Sequence, residues 1–347
     1  MPTTFSALAF SAFLLAAILS AAVVYCIVKS GWQWAMDLPG ARSLHSAPVP
    51  RTGGLALVAA VIATGALVQV NGGPWPWLET LLAAALCIVS LIDDKRGLPV
   101  TLRLATHGCA ALLYVGILLV QGRGADASLP VWIWLPLALL TIVAMTNFYN
   151  FMDGSNGLAG GMALIGFGTF AIAAGAAQPS IALLSLALLS LALAGSALGF
   201  LLFNWRGRIF MGDGGSVPLG FLAAGIGLAG WLAGAWTLWF PALVFAPFIV
   251  DASVTLLQRW RRGERVSQAH RDHYYQRLVR MGMSHARVAL GEYALMLACA
   301  AAALALPRFE VIGQALIFAT IALPFLLLML LIDARWHRHL AQAALIH

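Results

Sequence analysis

Four aspartates are the residues of this chain whose types and positions could do chemistry. Asp93 and Asp94 end one long apolar run, Asp153 follows another, and Asp213 precedes a third. Two adjacent carboxylates at a predicted helix end repel each other, and the helix dipole disfavours negative charge there. Such a pair needs a cation or a bound proton, unless it lies in a solvated loop balanced by the two basic residues that follow it.

Asp153 belongs to an amide-rich segment with the pattern N-x-x-N-x-x-D-G-x-N-G, from Asn147 to Gly157. Carboxylate and amide oxygens are the ligands that hard cations such as Mg²⁺ prefer, and glycine lets the backbone approach a phosphate closely. The alternative is a turn that caps the next helix. A cap accounts for Ser155 or Asn156 but leaves Asn147 and Asn150 unexplained.

Asp213 lies among three glycines in the segment Phe203–Ser216, which also contains Asn204. A glycine-rich turn ahead of a predicted helix suits a metal ion and a phosphate held at a helix N-terminus. The alternative is that Asp213 or Ser216 only caps that helix.

Two basic segments could bind phosphate groups. In the first, His270, His273 and Arg277 share one face if the segment is helical, which suits a pyrophosphate, and a solvated basic loop is the alternative. The spacing of the two histidines is not taken as a zinc site. The second segment, Asp37–Gly54, adds Arg42, His45 and Arg51, and it too could be an ordinary basic loop.

Long apolar runs must position these residues. Of 347 residues 61% are hydrophobic and 10% charged, whereas a soluble domain has about 25% charged residues. The sequence predicts an all-α integral membrane protein, a bundle of 10–11 transmembrane helices in one domain spanning 1–347, with the cytoplasmic His/Arg-rich loop 258–287 within it. The predicted spans are 5–28, 55–71, 76–92, 101–120, 130–146, 157–176, 179–203, 216–234, 236–257, 287–306 and 311–332.

The basic residues predict the orientation. All lysines and arginines except Arg123 and Arg308 fall in one alternate set of predicted loops, which the positive-inside bias makes cytoplasmic. Eleven spans then put the N-terminus in the periplasm. The four aspartates share the cytoplasmic face. The net charge of +7 therefore indicates anionic lipid headgroups and phosphorylated substrates as partners, and no nucleic acid.

Five motifs in this order resemble the polyprenyl-phosphate N-acetylhexosamine-1-phosphate transferase family, of the glycosyltransferase family 4 type, and closest to members that initiate O-antigen. The motifs are P-x-P-R-x-G-G at Pro48–Gly54, the pair Asp93-Asp94, the amide-rich segment Asn147–Gly157, F-M-G-D at Phe210–Asp213, and the loop His270–Arg277.

The resemblance implies roles for individual residues. Asp213 is expected to bind Mg²⁺, or Mn²⁺ in its place, with Asn156 as a second ligand. Asp93 is the candidate base for the lipid phosphate, with Asp94 beside it, and Phe210 is expected to stack on uracil. The full set comprises catalytic residues (Asp93, Asp94, Asp153, His270), metal ligands (Asp213, Asn156) and substrate-binding residues (Arg51, Asn147, Asn150, Asn204, Phe210, Arg271, His273, Arg277).

The implied reaction transfers a sugar-1-phosphate from a UDP-sugar to undecaprenyl phosphate in the bacterial inner membrane, releasing UMP. A direct displacement is preferred over a covalent aspartyl-phosphate, and the product initiates O-antigen or a related envelope glycan. Two departures from the family pattern matter. Asn156 stands where many bacterial members carry aspartate, and the loop at His270 lacks three consecutive histidines, which favours a simple UDP-N-acetylhexosamine over a muramyl-pentapeptide donor.

Three other functions compete with this interpretation. A polytopic lipid or sugar transporter or flippase would place ionisable residues near the membrane midplane, where the predicted spans carry almost none. A CDP-alcohol phosphotransferase would need an arginine that Asp153–Leu158 lacks. An inactive relative is supported only by Asn156. The sequence leaves open which sugar is used and whether the protein is a homodimer.

Overall fold

The computed structural model describes residues 2–32, 34–37, 48–123, 129–265, 268 and 270–344, and within them the chain is almost entirely helical. A two-residue antiparallel pair, β1 (Met36–Asp37) with β2 (Val49–Pro50), is the exception there. The helices are α1 (Pro2–Ser30), α2 (Gly53–Val70), α3 (Trp77–Arg96), α4 (Val100–Val120), α5 (Val131–Phe151), α6 (Leu158–Ala176), α7 (Ile181–Asn204), α8 (Asp213–Leu232), α9 (Trp239–Val244), α10 (Ala246–Arg261), α11 (Tyr274–Arg280), α12 (His285–Ala305) and α13 (Val311–Ala344).

The predicted all-α integral membrane fold is confirmed. Among the described residues nine helices are long and apolar enough to cross a membrane: α1, α2, α4 to α8, α12 and α13. The predicted span 76–92 corresponds to α3, which runs on to Arg96 and carries four charged residues in its last turn. Helix α13 has 34 residues, more than the 20 or so that a bilayer core requires, so its C-terminal end extends beyond an apolar span.

The predicted continuous span 236–257 is wrong. The helix is interrupted at Phe245, between α9 and α10. The backbone of this residue is not helical, with φ −97° and ψ 13°. Pro247 lies at the second position of α10. Proline has no backbone N–H and is tolerated in the first turn of a helix, so a new helix begins here.

Helix α8 forms the centre of the bundle. Nearly all of its residues from Gly214 to Gly230 are buried, and it packs against α2, α3 and α5. Glycines allow these approaches: a Cβ at Gly54 would collide with the backbone of Gly215, and one at Gly220 would lie 2.6 Å from the carbonyl oxygen of Met145. Small residues allow such close packing, which holds helices together in a membrane, where the hydrophobic effect does not drive their association.

Backbone pairing fixes the segment before α2 against the segment before α8. The N–H of Gly53 donates to the carbonyl of Phe210 at 3.0 Å, that of Gly54 to Met211 at 2.8 Å, and that of Phe210 to Pro50 at 2.8 Å. Two motifs far apart in sequence are thereby joined at one end of the bundle. Arg42 and His45, also predicted for this region, lie outside the described residues.

Candidate active site

The four aspartates meet around two arginines, in an arrangement termed here the carboxylate cluster (Asp93, Asp94, Asp153, Asp213, Arg51, Arg103). Nη2 of Arg51 lies 3.2 Å from Oδ1 of Asp94 and 3.4 Å from Oδ1 of Asp213. Nη1 of Arg103 lies 3.3 Å from Oδ2 of Asp93 and 3.8 Å from Oδ2 of Asp213. The structure thus places Asp93 and Asp213 at the same end of the bundle.

Local sequence fixes the two carboxylates of α3. Gly97 ends the helix with φ 67°, a left-handed conformation that favours glycine, and its N–H donates to the carbonyl of Asp93 at 2.7 Å. The N–H of Leu98 donates to Oδ1 of Asp93 at 2.6 Å. The carboxylate of Asp94 points the other way and accepts from the N–H of Gly214, in the first turn of α8, at 3.4 Å.

Asp153 joins the cluster from the loop between α5 and α6. Its packed surroundings raise its pKa well above the ordinary value, and the negative charges of Asp213 and Asp94 raise it further, although Arg51 opposes them. Burial lowers the pKa of Arg51, but the negative charges of Asp94 and Asp213 raise it by more. The pKa of Arg51 therefore lies above its ordinary value. The cluster thus sets four carboxyl groups against two guanidinium groups, and repulsion among the carboxylates is one cause of the raised pKa of Asp153.

A cleft lies between α3, α4, α5 and α8 beside the cluster. It is lined by Asp93, Arg103, Asn147, Asn150 and Asp213, together with residues that include His107 and Phe151. Nδ2 of Asn150 donates to Oγ of Ser216 at 3.2 Å, and Nδ2 of Asn147 donates to the carbonyl of Val143 at 2.7 Å. Both predicted asparagines thus border the same cleft as the carboxylates.

The structure does not bring Asn156 and Asn204 into the cluster's contacts. Oδ1 of Asn204 accepts from the N–H of Gly157 at 2.7 Å and its Nδ2 donates to the carbonyl of Ile209 at 2.9 Å, so this buried side chain ties two loops together. The amide of Asn156 lies against Gly207, where a Cβ would be 2.9 Å from Nδ2. A metal-binding role for Asn156 and a substrate contact for Asn204 stay predictions.

The predicted diphosphate loop lies on the other side of Phe151. The rings of His270 and His273 are 4.9 Å apart between centroids, and Phe151 lies 5.8 Å from His273. Burial lowers the pKa of His270 to about 4, and the neighbouring His273 and Arg259 add to that effect. Nδ1 of His273 lies 3.0 Å from Oδ1 of Asp251.

Arg277 does not share an open face with the two histidines. Its side chain is 5% exposed, with Nη1 2.6 Å from Oδ1 of Asp333 on α13 and Nη2 donating to Oε1 of Gln258 at 3.0 Å. The contact joins α11 to α10 and α13. Arg271 is partly exposed, and its carbonyl accepts from Nη1 of Arg280 at 3.2 Å.

Phe210 is held by its backbone, through Pro50 and Gly53 as described above, and its side chain is partly exposed at the edge of the cluster. The backbone pairing places it next to Arg51, at the point where α8 is about to begin. A ring in this position agrees with the stacking role predicted for it, and that role stays a prediction.

Sequence reasoning missed several residues that complete the site. Arg103 was counted only as a loop charge, and His107, Phe151, Asp251 and Asp333 received no role. Asp251 and Asp333 carried a usable signal, because a carboxylate next to a long apolar run usually has a specific partner. Nothing in the sequence indicated which partner each would have.

Mg²⁺ fits the chemistry of the carboxylate cluster. Among the described residues no three histidine, cysteine or acidic side chains form a closed metal site. Magnesium seldom uses such a cage, because it keeps several waters and is held by one or two carboxylates and substrate phosphates. Asp213, with Asp94 or Asp153 beside it, offers oxygen donors and excess negative charge of that kind.

Fold and site together define a multi-pass membrane protein with a charged cleft where the ends of several helices meet. The model of the family described as Glycosyl transferase family 4 matches residues 77–231. Over 294 residues the chain is 31% identical to the decaprenyl-phosphate N-acetylglucosaminephosphotransferase of Mycobacterium leprae, covering 74% of this chain and 73% of the relative.

Two further relatives differ in the sugar that their names specify. One is a probable undecaprenyl-phosphate N-acetylglucosaminyl 1-phosphate transferase of Bacillus subtilis, 29% identical, with 72% of this chain and 71% of the relative covered. The other is a phospho-N-acetylmuramoyl-pentapeptide-transferase of Synechococcus sp., 33% identical, with 63% and 66% covered. The chain belongs to the polyprenyl-phosphate N-acetylhexosamine-1-phosphate transferase family, as its five motifs predicted.

Proposed function

We propose that this protein transfers an N-acetylhexosamine-1-phosphate from a UDP-sugar to undecaprenyl phosphate, releasing UMP and forming a polyprenyl-diphospho-sugar. The observation that carries the proposal is the carboxylate cluster, in which Arg51 and Arg103 bridge carboxylates from α3 and α8 at one end of the bundle. Phosphoryl transfer depends mostly on positioning and charge neutralisation, and this cluster supplies groups for both.

The chemical step is a displacement at the β-phosphorus of the UDP-sugar. An oxygen of the lipid phosphate forms the new P–O bond, and the bond from the β-phosphorus to the bridging oxygen breaks, so the electron pair leaves with UMP. Asp93 borders the cleft and takes up or orients the lipid phosphate proton, while Arg103 neutralises the phosphate. Mg²⁺, with Mn²⁺ able to replace it, would be held by Asp213 and its neighbours and would neutralise the diphosphate.

The nucleotide part of the donor is assigned to the edge of the cluster, where Phe210 lies, and to the loop that carries His270 and His273. Phe210 would stack on the uracil, and His270, Arg271 and His273 would hold the diphosphate, with Arg51 assisting from the cluster. Phe151 belongs to both parts, since it lines the cleft and lies beside His273. A donor spanning Phe151 would therefore bring its β-phosphorus to the carboxylate cluster.

The proposed donor is a simple UDP-N-acetylhexosamine, and the proposed pathway is O-antigen or a related envelope glycan. Two features support the choice of donor: the loop at His270 has no run of three histidines, and the names of two of the similar proteins reported above specify N-acetylglucosamine. We place the protein in the bacterial inner membrane with the site on the cytoplasmic face, because the basic residues gather at that end.

The test is UMP release by the purified full-length protein. Undecaprenyl phosphate and Mg²⁺ are supplied with UDP-N-acetylglucosamine, UDP-N-acetylgalactosamine or UDP-N-acetylmuramoyl-pentapeptide in parallel, with EDTA as the metal-free arm. UMP from one of the first two donors and not from the third is expected, with no UMP under EDTA. UMP from the pentapeptide donor alone contradicts the proposed sugar, and donor binding without UMP release contradicts the transferase in favour of transport.

A further inference from the structure

Asp251, on α10, is the centre of a buried hydrogen-bond network outside the carboxylate cluster. Its Oδ1 accepts from Oγ1 of Thr255 at 3.1 Å and from the N–H of Tyr274 at 3.1 Å, and its Oδ2 accepts from the N–H of Tyr275 at 3.2 Å. Nδ1 of His273 lies 3.0 Å from the same Oδ1. Asp251 is 4% exposed, so water does not compete for these bonds.

The number of donors decides which ring nitrogen of His273 carries hydrogen. An ionised carboxylate has about four acceptor sites and no hydrogen to give. Oδ1 accepts from the hydroxyl of Thr255 and the N–H of Tyr274, and Oδ2 accepts from the N–H of Tyr275, so the carboxylate is the acceptor in each of these bonds. Nδ1 of His273 must therefore donate to Asp251, and Nε2 is the ring nitrogen left to face a ligand.

Ring contacts hold His273 in this orientation. Its plane is within 30° of Phe151 and within 19° of Tyr275, and Oη of Tyr275 donates to the carbonyl of Phe151 at 3.0 Å. The side chain of His273 is only 3% exposed. Since so narrow an edge reaches the surface, the orientation of the ring decides which nitrogen is presented to a substrate.

We infer that Asp251 is a positioning residue for the diphosphate-binding loop: it holds His273 with Nδ1 inward and Nε2 toward the diphosphate of the nucleotide sugar. This inference rests on the proposed function. The same carboxylate accepts from the first two backbone N–H groups of α11, so it fixes the ring and the helix that follows it together. Such fixing of a histidine by a carboxylate on its second nitrogen is a general way to set its tautomer.

The first arm of the test needs no turnover. Full-length protein labelled with ¹⁵N-histidine is studied by NMR, and the ring signals of His273 are identified by their absence in His273→Gln. Hydrogen on Nδ1 in the wild type, and ring signals that shift or split in Asp251→Asn, are expected. The control is Asp333→Asn, which removes a carboxylate that contacts α11 through Arg277 and the Tyr274 hydroxyl and leaves Asp251 in place, so hydrogen should stay on Nδ1 of His273.

Wild-type protein with Nδ1 lacking hydrogen overturns the inference, and so do His273 signals that Asp251→Asn leaves unchanged. The wild-type measurement decides the point even if Asp251→Asn does not fold. If the wild type releases no UMP, the proposed function fails, while the tautomer result still decides whether Asp251 sets the ring.

The second arm is a double-mutant cycle on UMP release. Asp251→Asn should lose roughly ten- to a hundredfold in kcat/KM for the nucleotide sugar, and His273→Gln about a hundredfold. The double variant should lose no more than His273→Gln alone, with the KM for undecaprenyl phosphate unchanged in all three. Losses that multiply mean that Asp251 acts independently of His273, as a general structural residue would, and the inference is then wrong.

Discussion

The carboxylate cluster and the loop that carries His270 and His273 use their charged residues in different ways. In the cluster, two arginines are shared among several carboxylates, and the Arg51 and Arg103 side chains are 34% and 39% exposed. In the loop, Arg277 is 5% exposed and committed to Asp333, while His273 is committed to Asp251. The cluster keeps charge available to a ligand, whereas the loop uses most of its charge to hold itself in shape.

This difference indicates that residues of one type need not have one role. An arginine next to a cleft, with several partners at 3.2–3.8 Å, can exchange a carboxylate for a phosphate at little cost. An arginine buried in a single ion pair cannot, because removing its partner leaves a charge without solvent.

The largest effect is expected from the carboxylates of the cluster. Asp213→Ala and Asp93→Asn should each lower the rate of UMP release by on the order of a hundredfold or more, because each removes a charge at the reacting centre. Steady-state kinetics with Mg²⁺ and the preferred donor measures the loss. The control is Glu310→Gln, which removes a carboxylate in the loop before α13 and should keep the wild-type rate. Full turnover by folded Asp213→Ala would show that the cluster is not the active site.

A smaller loss is expected from Arg51, the residue that contacts both Asp94 and Asp213. Arg51→Met should lower kcat/KM by roughly tenfold to a hundredfold, since a charge-assisted contact contributes about 1.5–3 kcal/mol. Arg51→Lys keeps the charge but not the planar guanidinium, so its loss should be smaller than that of the Met variant. Equal losses for the two variants would indicate that geometry at Arg51 matters and charge does not.

Arg277 should behave in the opposite way, with a loss of stability and little loss of rate. Arg277→Met removes the bonds to Asp333 and Gln258 and leaves Asp333, whose side chain is 27% exposed, so stability should fall by about 1.5–3 kcal/mol, which appears as a lower unfolding temperature in detergent. At a temperature where Arg277→Met remains folded, kcat should stay within about threefold of wild type. The exposed neighbour Arg280→Met should change neither quantity appreciably. A large loss of kcat with normal stability would contradict this structural role and support the substrate contact that the sequence predicted for Arg277.

The smallest effect concerns pH and His270. Its folded-state pKa of about 4 lies below the ordinary 6.5, so the native state favours the neutral ring. Its contribution to stability is therefore fully present above pH 6.5 and is lost as pH falls from about 6.5 toward 4. His270→Gln should flatten the decline of the unfolding temperature across this range in the ligand-free protein. An unchanged slope in the variant would contradict the shift.

Much of the fold could be predicted because the signals are local. Hydropathy marked the helices, and Asp93, Asp153 and Asp213 stood out because charge is rare beside apolar runs in this chain. The break at Phe245 escaped the prediction, since Trp239–Val244 and Ala246–Arg261 together have the length and composition of one continuous span. The full length of α13 was not predicted either, because its polar C-terminal end continues the helix beyond the apolar span.

The sequence by itself determined a membrane bundle and the family, and it predicted which residues bind a metal and phosphates. Tertiary structure alone decided their partners. Arg51 reaches Asp213 across 162 positions, since glycines let the starts of α2 and α8 approach closely, and Arg277 turns inward to Asp333 on α13. Periodicity and composition are properties of neighbouring residues, whereas an ion pair depends on distances of a few ångströms between segments far apart in the chain. For this reason Arg51 and Arg277 have the same predicted role in the sequence, whereas their contacts differ in the folded protein.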